Sequence, residues 1–406
     1  MKFLFAIVII VVVVLIGTRV TFLNRRLPIG FRHILLTGIE YIFIGAALGT
    51  MGINLIDARS LISLKPFLLF GLSWIGFLFG LQFEFRLLRH LPRFYFTMTA
   101  IQATITFLLV AVSAYFTLNY LIDLPLPLLL LASAVLGCIG SCSAQSAITI
   151  VGQNYRVENK GLIDLLRYMS GVDGIFALLF FSIALSVLPD QEHITLDVMA
   201  SLTWILTTIV MGVVPALVLI ILSSTQFTQA EFLVFVIGIV MLSGGLAFQI
   251  GHPPLISGLI CGVITANYCR HRIRALTTAV TAEKSIYIIL LLIIGAGWNF
   301  EFNQSIWIAV AYWLFRLIGK LAGTFLATRT FKPKYDVPPT AGLGLVSEGG
   351  LAIAMVISFQ LLHSGIADYL ITAIIISVVV NELISPQLII AQFQAVKAFQ
   401  PKKTDI

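Results

Sequence analysis

Long apolar runs, interrupted at short intervals by basic or turn-forming residues, dominate this chain. Thirteen segments can be marked, at about 3–20, 33–54, 64–84, 94–118, 124–152, 162–188, 198–223, 229–248, 252–268, 284–300, 305–329, 338–362 and 367–393. A bilayer's hydrocarbon core takes about 20 helical residues, so most of these runs can cross it, and the longest need tilt or a break. The pattern predicts an all-α polytopic membrane protein with about 13 transmembrane helices. It reads as a single transmembrane domain over 1–393 and a short cytoplasmic tail at 394–406, with no hydrophilic stretch long enough for a separate globular domain. Lys2 followed by an apolar run outlines a signal peptide, but no convincing small-residue cleavage site precedes Arg19, so a retained helix is expected.

Composition agrees with the pattern. Apolar residues make up 59% of the chain and charged residues 11%, against about 25% charged in a soluble domain. The net charge of +7 does not point to nucleic acid, because the basic residues are sorted between connections. Alternate connections hold Arg19, Arg25, Arg26 and Arg32, then Arg86, Arg89 and Arg93, then Arg156 and Lys160. Arg270, Arg272 and Arg274 follow, then Arg329, Lys332 and Lys334, with Lys397, Lys402 and Lys403 in the tail. The other side holds Lys2, Arg59 and Lys65 beside Asp57, Asp123, Asp190 and Glu192. The asymmetry predicts an N-terminus outside and a C-terminus in the cytoplasm; the connection at Glu231, which lacks a basic residue, is its weakest point. Cys138, Cys142, Cys261 and Cys269 lie in or beside apolar runs with no His or carboxylate at metal-ligand spacing, and read as small buried hydrophobes. No nucleophile–His–acid constellation or phosphate-binding loop stands out, so an enzyme is not expected.

Against this background a few charges carry the chemistry. Asp173 is a lone carboxylate between Gly171 and Gly174 in an apolar stretch; Arg316 and Lys320 lie in a second stretch and Glu348 in a third. An ionisable group at membrane depth costs roughly 3 kcal/mol on insertion scales, so such groups are rare and usually functional. Here they suggest a path for protons or small cations. Arg316 and Lys320 are one turn apart and share a helix face. Plainer roles stand beside this reading: Asp173 in a structural ion pair, Arg316 snorkelling to an interface, and Glu40 and Glu382 stapling neighbouring helices. Arg167 and Lys284 read as helix anchors, and His252 and His363 as turn residues.

Two segments carry glycine and polar residues near mid-membrane: Gly137 to Ser146 in the fifth, and Gly342 to Gly350 in the twelfth. Irregular backbone survives at that depth only when buried in protein or facing a water-filled cavity. Close packing through small residues explains one such cluster equally well. Two clusters seven segments apart fit inverted six-helix repeats, segments 1–6 and 8–13, joined by a linker helix at 198–223. That is the pattern of secondary transporters with two interrupted crossing helices. Asp173 follows the first break by one segment, as Asn381 and Glu382 follow the second.

The chain resembles the monovalent cation/proton antiporter superfamily, particularly its Kef-like bacterial branch. The resemblance is carried by Thr37-Gly38-Ile39-Glu40-Tyr41 with Gly45 and Gly49, by Trp74 to Leu81, by Ser141-Cys142-Ser143, by Gly171-Val172-Asp173, by Arg316 to Gly323 and by Gly342 to Gly350. It implies that Asp173 binds a proton or a cation in turn, that Ser141 and Ser143 help line the site, and that Lys320 is the opposing basic residue. Ser170, three residues before Asp173, can share its helix face, and Glu348 can partner Lys320 or Arg316. It further implies a core (94–188 and 305–393) moving against a scaffold (1–93 and 229–300), a homodimer, a bacterial inner membrane and no cofactor. Na⁺ or K⁺ would exchange for H⁺, and a separate regulatory subunit is possible. Where many members carry Asp or Asn before the key aspartate, this chain has Val172, which makes one-for-one exchange the simplest expectation. Two other classes stay open: a partner-gated cation channel or efflux subunit, and an ion-coupled symporter of a small organic anion held by Arg316 and Lys320.

Overall fold

The computed structural model describes residues 2–19, 33, 37–86, 93–157, 160–187, 198–223, 228–300, 302–331, 337–395 and 399–401. Arg25, Arg26, Arg32, Arg89, Asp190, Glu192, Lys332, Lys334, Lys397, Lys402 and Lys403, used in the charge-sidedness argument, lie outside these residues.

The described chain is helical almost throughout. In order run α1 (Lys2–Arg19), α2 (Glu40–Leu48), α3 (Ala58–Leu81), α4 (Arg93–Leu121), α5a (Leu126–Ser141) and α5b (Ser146–Asn154), α6 (Lys160–Val187) and α7 (Val198–Leu222). There follow α8 (Gln229–Gln249), α9 (Pro254–Tyr268), α10 (Arg272–Ala296), α11 (Phe302–Phe331), the 3-10 turn α12a (Ala341–Leu345), α12b (Gly350–Leu362) and α13 (Ser364–Ala395). The only β structure among the described residues is an antiparallel pair of three-residue strands, β1 (Tyr155–Val157) and β2 (Phe399–Pro401). Among the described residues, nine helices, counting α5a and α5b together, are long and apolar enough to cross a bilayer, and shorter apolar helices include Ala6–Gly17, Pro254–Tyr268 and Gly350–Leu362. The all-α membrane architecture is therefore as the hydrophobic pattern predicts. The first segment is a helix whose Ala6, Ile10 and Val14, four residues apart, are buried in the main core cluster.

Packing partners come in matched pairs. α2 packs on α10 as α9 packs on α3, and α1 meets α10 as α8 meets α3. α4 meets α6 as α11 meets α13, and α5a meets α6 as α12b meets α13. Shifting every number by seven turns one set into the other, which is the pairing that two repeats flanking α7 require. Small residues make the matched crossings close. A Cβ on Gly76 would lie 2.0 Å from the carbonyl oxygen of Leu255, and one on Gly45 would lie 2.3 Å from that of Leu292. Backbones can approach so closely only where side chains vanish, and dispersion at that range supplies the association energy that lipid does not.

Both expected interruptions are present, and they meet. Helix α5a stops at Ser141, and Cys142 is extended (φ −80, ψ 154). α12a and α12b are separated by Val346 to Gly349. Ala144 N–H donates to the Ser347 carbonyl at 2.9 Å, so one unwound strand lies directly on the other. Gly349 permits this approach, since a Cβ there would stand 2.9 Å from Cβ of Ala144.

The α3–α9 crossing gives a test. Gly76→Val should destabilise the detergent-solubilised protein by about 1–3 kcal/mol through overpacking, read as a lowered melting temperature. Gly238 on α8 has nothing within 4 Å of a Cβ position, and Gly238→Ala should leave melting unchanged or slightly raised. Equal effects at the two positions would refute the crossing.

Candidate functional site

Unwinding two helices inside a membrane leaves carbonyl oxygens with no intrahelical donor, and each such group is costly there. Helix α11 answers that need. Tyr312, Arg316 and Lys320 recur every four residues on one face of α11, all three buried. Arg316 donates through one terminal nitrogen to the Val346 carbonyl (2.6 Å) and through the other to those of Cys142 (2.8 Å) and Ser347 (3.4 Å). One guanidinium thus bridges both breaks. Lys320 Nζ donates to the Ser141 carbonyl (2.6 Å), the Ser143 hydroxyl (2.8 Å) and Asp173 Oδ2 (3.1 Å). Three acceptors use all three ammonium protons.

Asp173, on α6, is completely buried. Its Oδ1 accepts from the Ser143 backbone N–H at 3.1 Å, and its Oδ2 accepts from the Ser143 hydroxyl at 2.6 Å as well as from Lys320. Ser143 therefore grips both carboxylate oxygens while its hydroxyl oxygen accepts a hydrogen bond from Lys320. Val172 is buried and apolar, so no second carboxyl or amide stands beside Asp173 in sequence. Ser141 contributes its carbonyl; its hydroxyl donates to the Cys138 carbonyl at 2.8 Å. Ser170 is turned away from the carboxylate, donating to the Arg167 carbonyl at 3.2 Å, and lines the adjacent cavity.

Glu348 partners Arg316, not Lys320: Arg316 Nε lies 3.0 Å from Glu348 Oε1. The Tyr312 hydroxyl donates to the same oxygen, while Ser377 (3.1 Å) and Asn381 (2.9 Å) donate to Oε2. Breaking one partner out of a buried, hydrogen-bonded ion pair leaves the other as an uncompensated charge.

A cavity of about 440 Å³ adjoins this cluster. Residues of α3, α10 and the start of the second segment (Trp74, Phe79, Gln82, Glu283, Tyr287 and Thr37 among them) form one wall. Cys142 to Ser146, Ser170, Gly171 and Gly349 to Leu351 form the other, so the cavity reaches Ser143, which holds Asp173. It lies in the half of the molecule toward the connections that carry Arg86, Arg270, Arg272 and Arg274.

The structure thus brings Asp173, Ser141, Ser143, Lys320, Arg316 and Glu348 into one network and leaves Ser170 at its edge. Sequence reasoning gave no role to Tyr312, Ser347 or Ser377. Tyr312 had a signal, since it stands one turn before Arg316 on the Arg316–Lys320 face. His33 had none; it is buried against Glu382, with Nδ1 2.9 Å from Oε2. The four cysteines are buried and unpaired, as small hydrophobes. His252 lies in the α8–α9 turn, where Thr207 (2.9 Å) and Thr208 (2.8 Å) of α7 meet its two ring nitrogens, and His363 lies between α12b and α13.

Inverted repeats whose broken helices cross beside a buried carboxylate define a secondary-active ion transporter. Among solved structures, the chain is similar to the sodium/proton antiporter MjNhaP1 from Methanocaldococcus jannaschii, determined at pH 8. The TM-score is 0.64 over 98% of this chain and 99% of that one, and at 17% identity the likeness is one of fold. The profile of the sodium/hydrogen exchanger transmembrane family matches residues 8–390, and the chain belongs to that family. It is a monovalent cation/proton antiporter, a transporter and not an enzyme. Comparison with curated protein sequences finds no match.

The crossing predicts its own weak point. Arg316→Ala strips donors from three carbonyls and the counter-charge from Glu348, and should cost about 3–5 kcal/mol of stability. Thermal unfolding of the purified protein measures it. A loss under about 1 kcal/mol, the range of an exposed pair, would show that Arg316 does not hold the two breaks together.

Proposed function

We propose that Asp173 is the group at which proton and cation compete. What carries the reading is the placement of Lys320. Its ammonium touches Asp173 Oδ2, the Ser143 hydroxyl and the Ser141 carbonyl at the end of half-helix α5a, an all-oxygen set of the kind a dehydrated monovalent cation needs. Lys320 is the stand-in charge. When Na⁺ or K⁺ arrives through the cavity, Lys320 withdraws and the cation takes its place; when a proton arrives, the carboxyl becomes neutral and the cation leaves. Since Val172 offers no second carboxyl, exchange at Asp173 itself is one proton for one cation. Which cation is taken depends on oxygen number and cavity size at the occupied site.

The transport cycle follows from which helices move together. Helices α4–α6 and α11–α13 carry every residue that holds Asp173 and form the moving core; α1–α3 and α8–α10 form the scaffold, with α7 linking the repeats. Core motion past the scaffold, with scaffold–scaffold contact making a homodimer, gives alternating access. The cavity separates these two groups and lies toward the arginine-bearing connections, which the charge asymmetry places in the cytoplasm. The arrangement described is then inward-facing, with the N-terminus outside and the C-terminus inside. A bacterial inner membrane is the setting proposed; a regulatory subunit would be a separate chain. The organic-anion reading is disfavoured, because Arg316 is committed to Glu348 and three carbonyls and Lys320 to Asp173.

Proton flux in liposomes tests this. Adding Na⁺, K⁺ or Li⁺ should move protons through the wild-type protein, and Asp173→Asn should abolish the movement. Cation-driven flux that survives in the variant removes Asp173 from the site. Lys320→Ala deletes the competing ammonium and should lower the apparent KM for the cation by about tenfold, or ~1.4 kcal/mol. A higher KM would mean that Lys320 organises the site and does not compete for it.

A further inference from the structure

The buried charges are unequal in number. Among the described residues, Asp173, Glu348 and Glu382 are carboxylates with no exposure, and Lys320 and Arg316 are the buried cations. Arg316 answers Glu348 and Lys320 answers Asp173. Among the described residues, Glu382 has the Ser347 hydroxyl on Oε1, at 2.8 Å, and the His33 ring, whose Nδ1 is 2.9 Å from Oε2 and from the Glu382 carbonyl oxygen. A buried carboxylate against an imidazole requires one proton in the pair: on the ring, making two ions, or on the carboxyl, leaving both neutral. Tyr287 of α10 also lies within electrostatic reach of Glu382.

Glu382 repeats the position of Asp173. In the first repeat, the hydroxyl of Ser143 in the α5 break binds Asp173 on the following helix, α6. In the second, the hydroxyl of Ser347 in the α12 break binds Glu382 on the following helix, α13. The two sites lead to the same cavity. Ser347 Oγ lies 3.3 Å from the Ser146 hydroxyl, and Ser146 lines the cavity that reaches Ser143. Glu382 is thus two hydroxyls from the cavity.

We propose that Glu382 is a second proton-carrying carboxyl group, so that two protons exchange for each monovalent cation. The proposal rests on the moving-core reading above. His33 belongs to the scaffold and Glu382 to the core, so core movement parts them. Proton-loaded, the core carries Glu382 as a neutral acid, its new O–H bond formed with a proton from water. In the inward-facing arrangement that proton leaves by way of Ser347 and Ser146 to cavity water, and His33, which stays in the scaffold as an imidazolium throughout the cycle, pairs with the carboxylate as two ions. With a cation bound, Asp173, Glu382, Lys320 and the cation sum to zero charge. With both carboxyls protonated and the cation gone, Lys320 leaves the core at +1. One charge crosses per cycle, despite Val172.

The test is the balance point of exchange in liposomes with the membrane potential clamped at zero. Wild-type exchange should stop when the cation ratio equals the square of the proton ratio, and Glu382→Gln should stop at the proton ratio itself. A first-power balance in the wild type, or a square retained in Glu382→Gln, overturns the proposal. If Glu382→Gln is inactive, infrared spectra decide it. On acidification, the spectrum of Asp173→Asn minus that of Asp173→Asn combined with Glu382→Gln should hold one protonated-carboxyl band, the shared carboxyls cancelling; no such difference band overturns the proposal. Wild-type protein that moves no protons with any cation would overturn the antiport reading itself. First-power exchange would leave that reading intact and remove only the role of Glu382.

Discussion

The rest of the site depends on how a membrane protein pays for unwound backbone. Freed carbonyls at membrane depth need donors, and water is scarce there. This chain supplies two cationic side chains from a single helix face: Arg316 for the carbonyls of Cys142, Val346 and Ser347, and Lys320 for that of Ser141. Burying two cations then demands carboxylates, and Glu348 and Asp173 meet that demand. The buried acid is in this sense a consequence of the break. A helix that ran straight through would need neither Lys320 nor its partner.

The two pairs differ in how firmly they are held, and the difference separates structure from chemistry. Glu348 takes donors from Tyr312, Ser377 and Asn381 besides its ion pair with Arg316. These donors hold it in place beside Arg316, and the pair clamps the crossing. Among the described residues, Asp173 takes donors only from Ser143 and Lys320, both of which also face the α5 break beside the cavity. Replacing an ammonium by a metal ion or a proton there disturbs few bonds. The same low-dielectric setting that makes a fully satisfied network rigid makes a sparsely held carboxylate responsive.

Much of this was legible in the chain. Apolar run lengths gave the helices, and the two glycine-polar clusters gave the breaks, because both signals are local. Asp173, Lys320, Arg316 and Glu348 stood out because charge is rare in apolar sequence. What the sequence withheld was pairing. It left Glu348 between Arg316 and Lys320, a choice decided by which turn of α11 faces each break. It put Ser170 beside Asp173 by helical spacing, but a serine in a helix often bonds back to its own turn, as Ser170 does to Arg167. His33 had no periodicity to mark it, since its partner is 349 residues away.

Repeat symmetry explains why the second carboxylate was half visible. The order of break, then acid one helix later, could be read for both Asp173 and Glu382, whereas their counter-charges break the symmetry. Asp173 faces an ammonium from α11. Glu382 faces an imidazole from the second segment. On the proposed core movement the ammonium travels with its carboxylate, whereas the imidazole stays behind and meets its carboxylate only at one end. The inverted repeat thus provides two similar sockets and the partners make them unequal, which is why the proposal assigns cation exchange to one and a carried proton to the other.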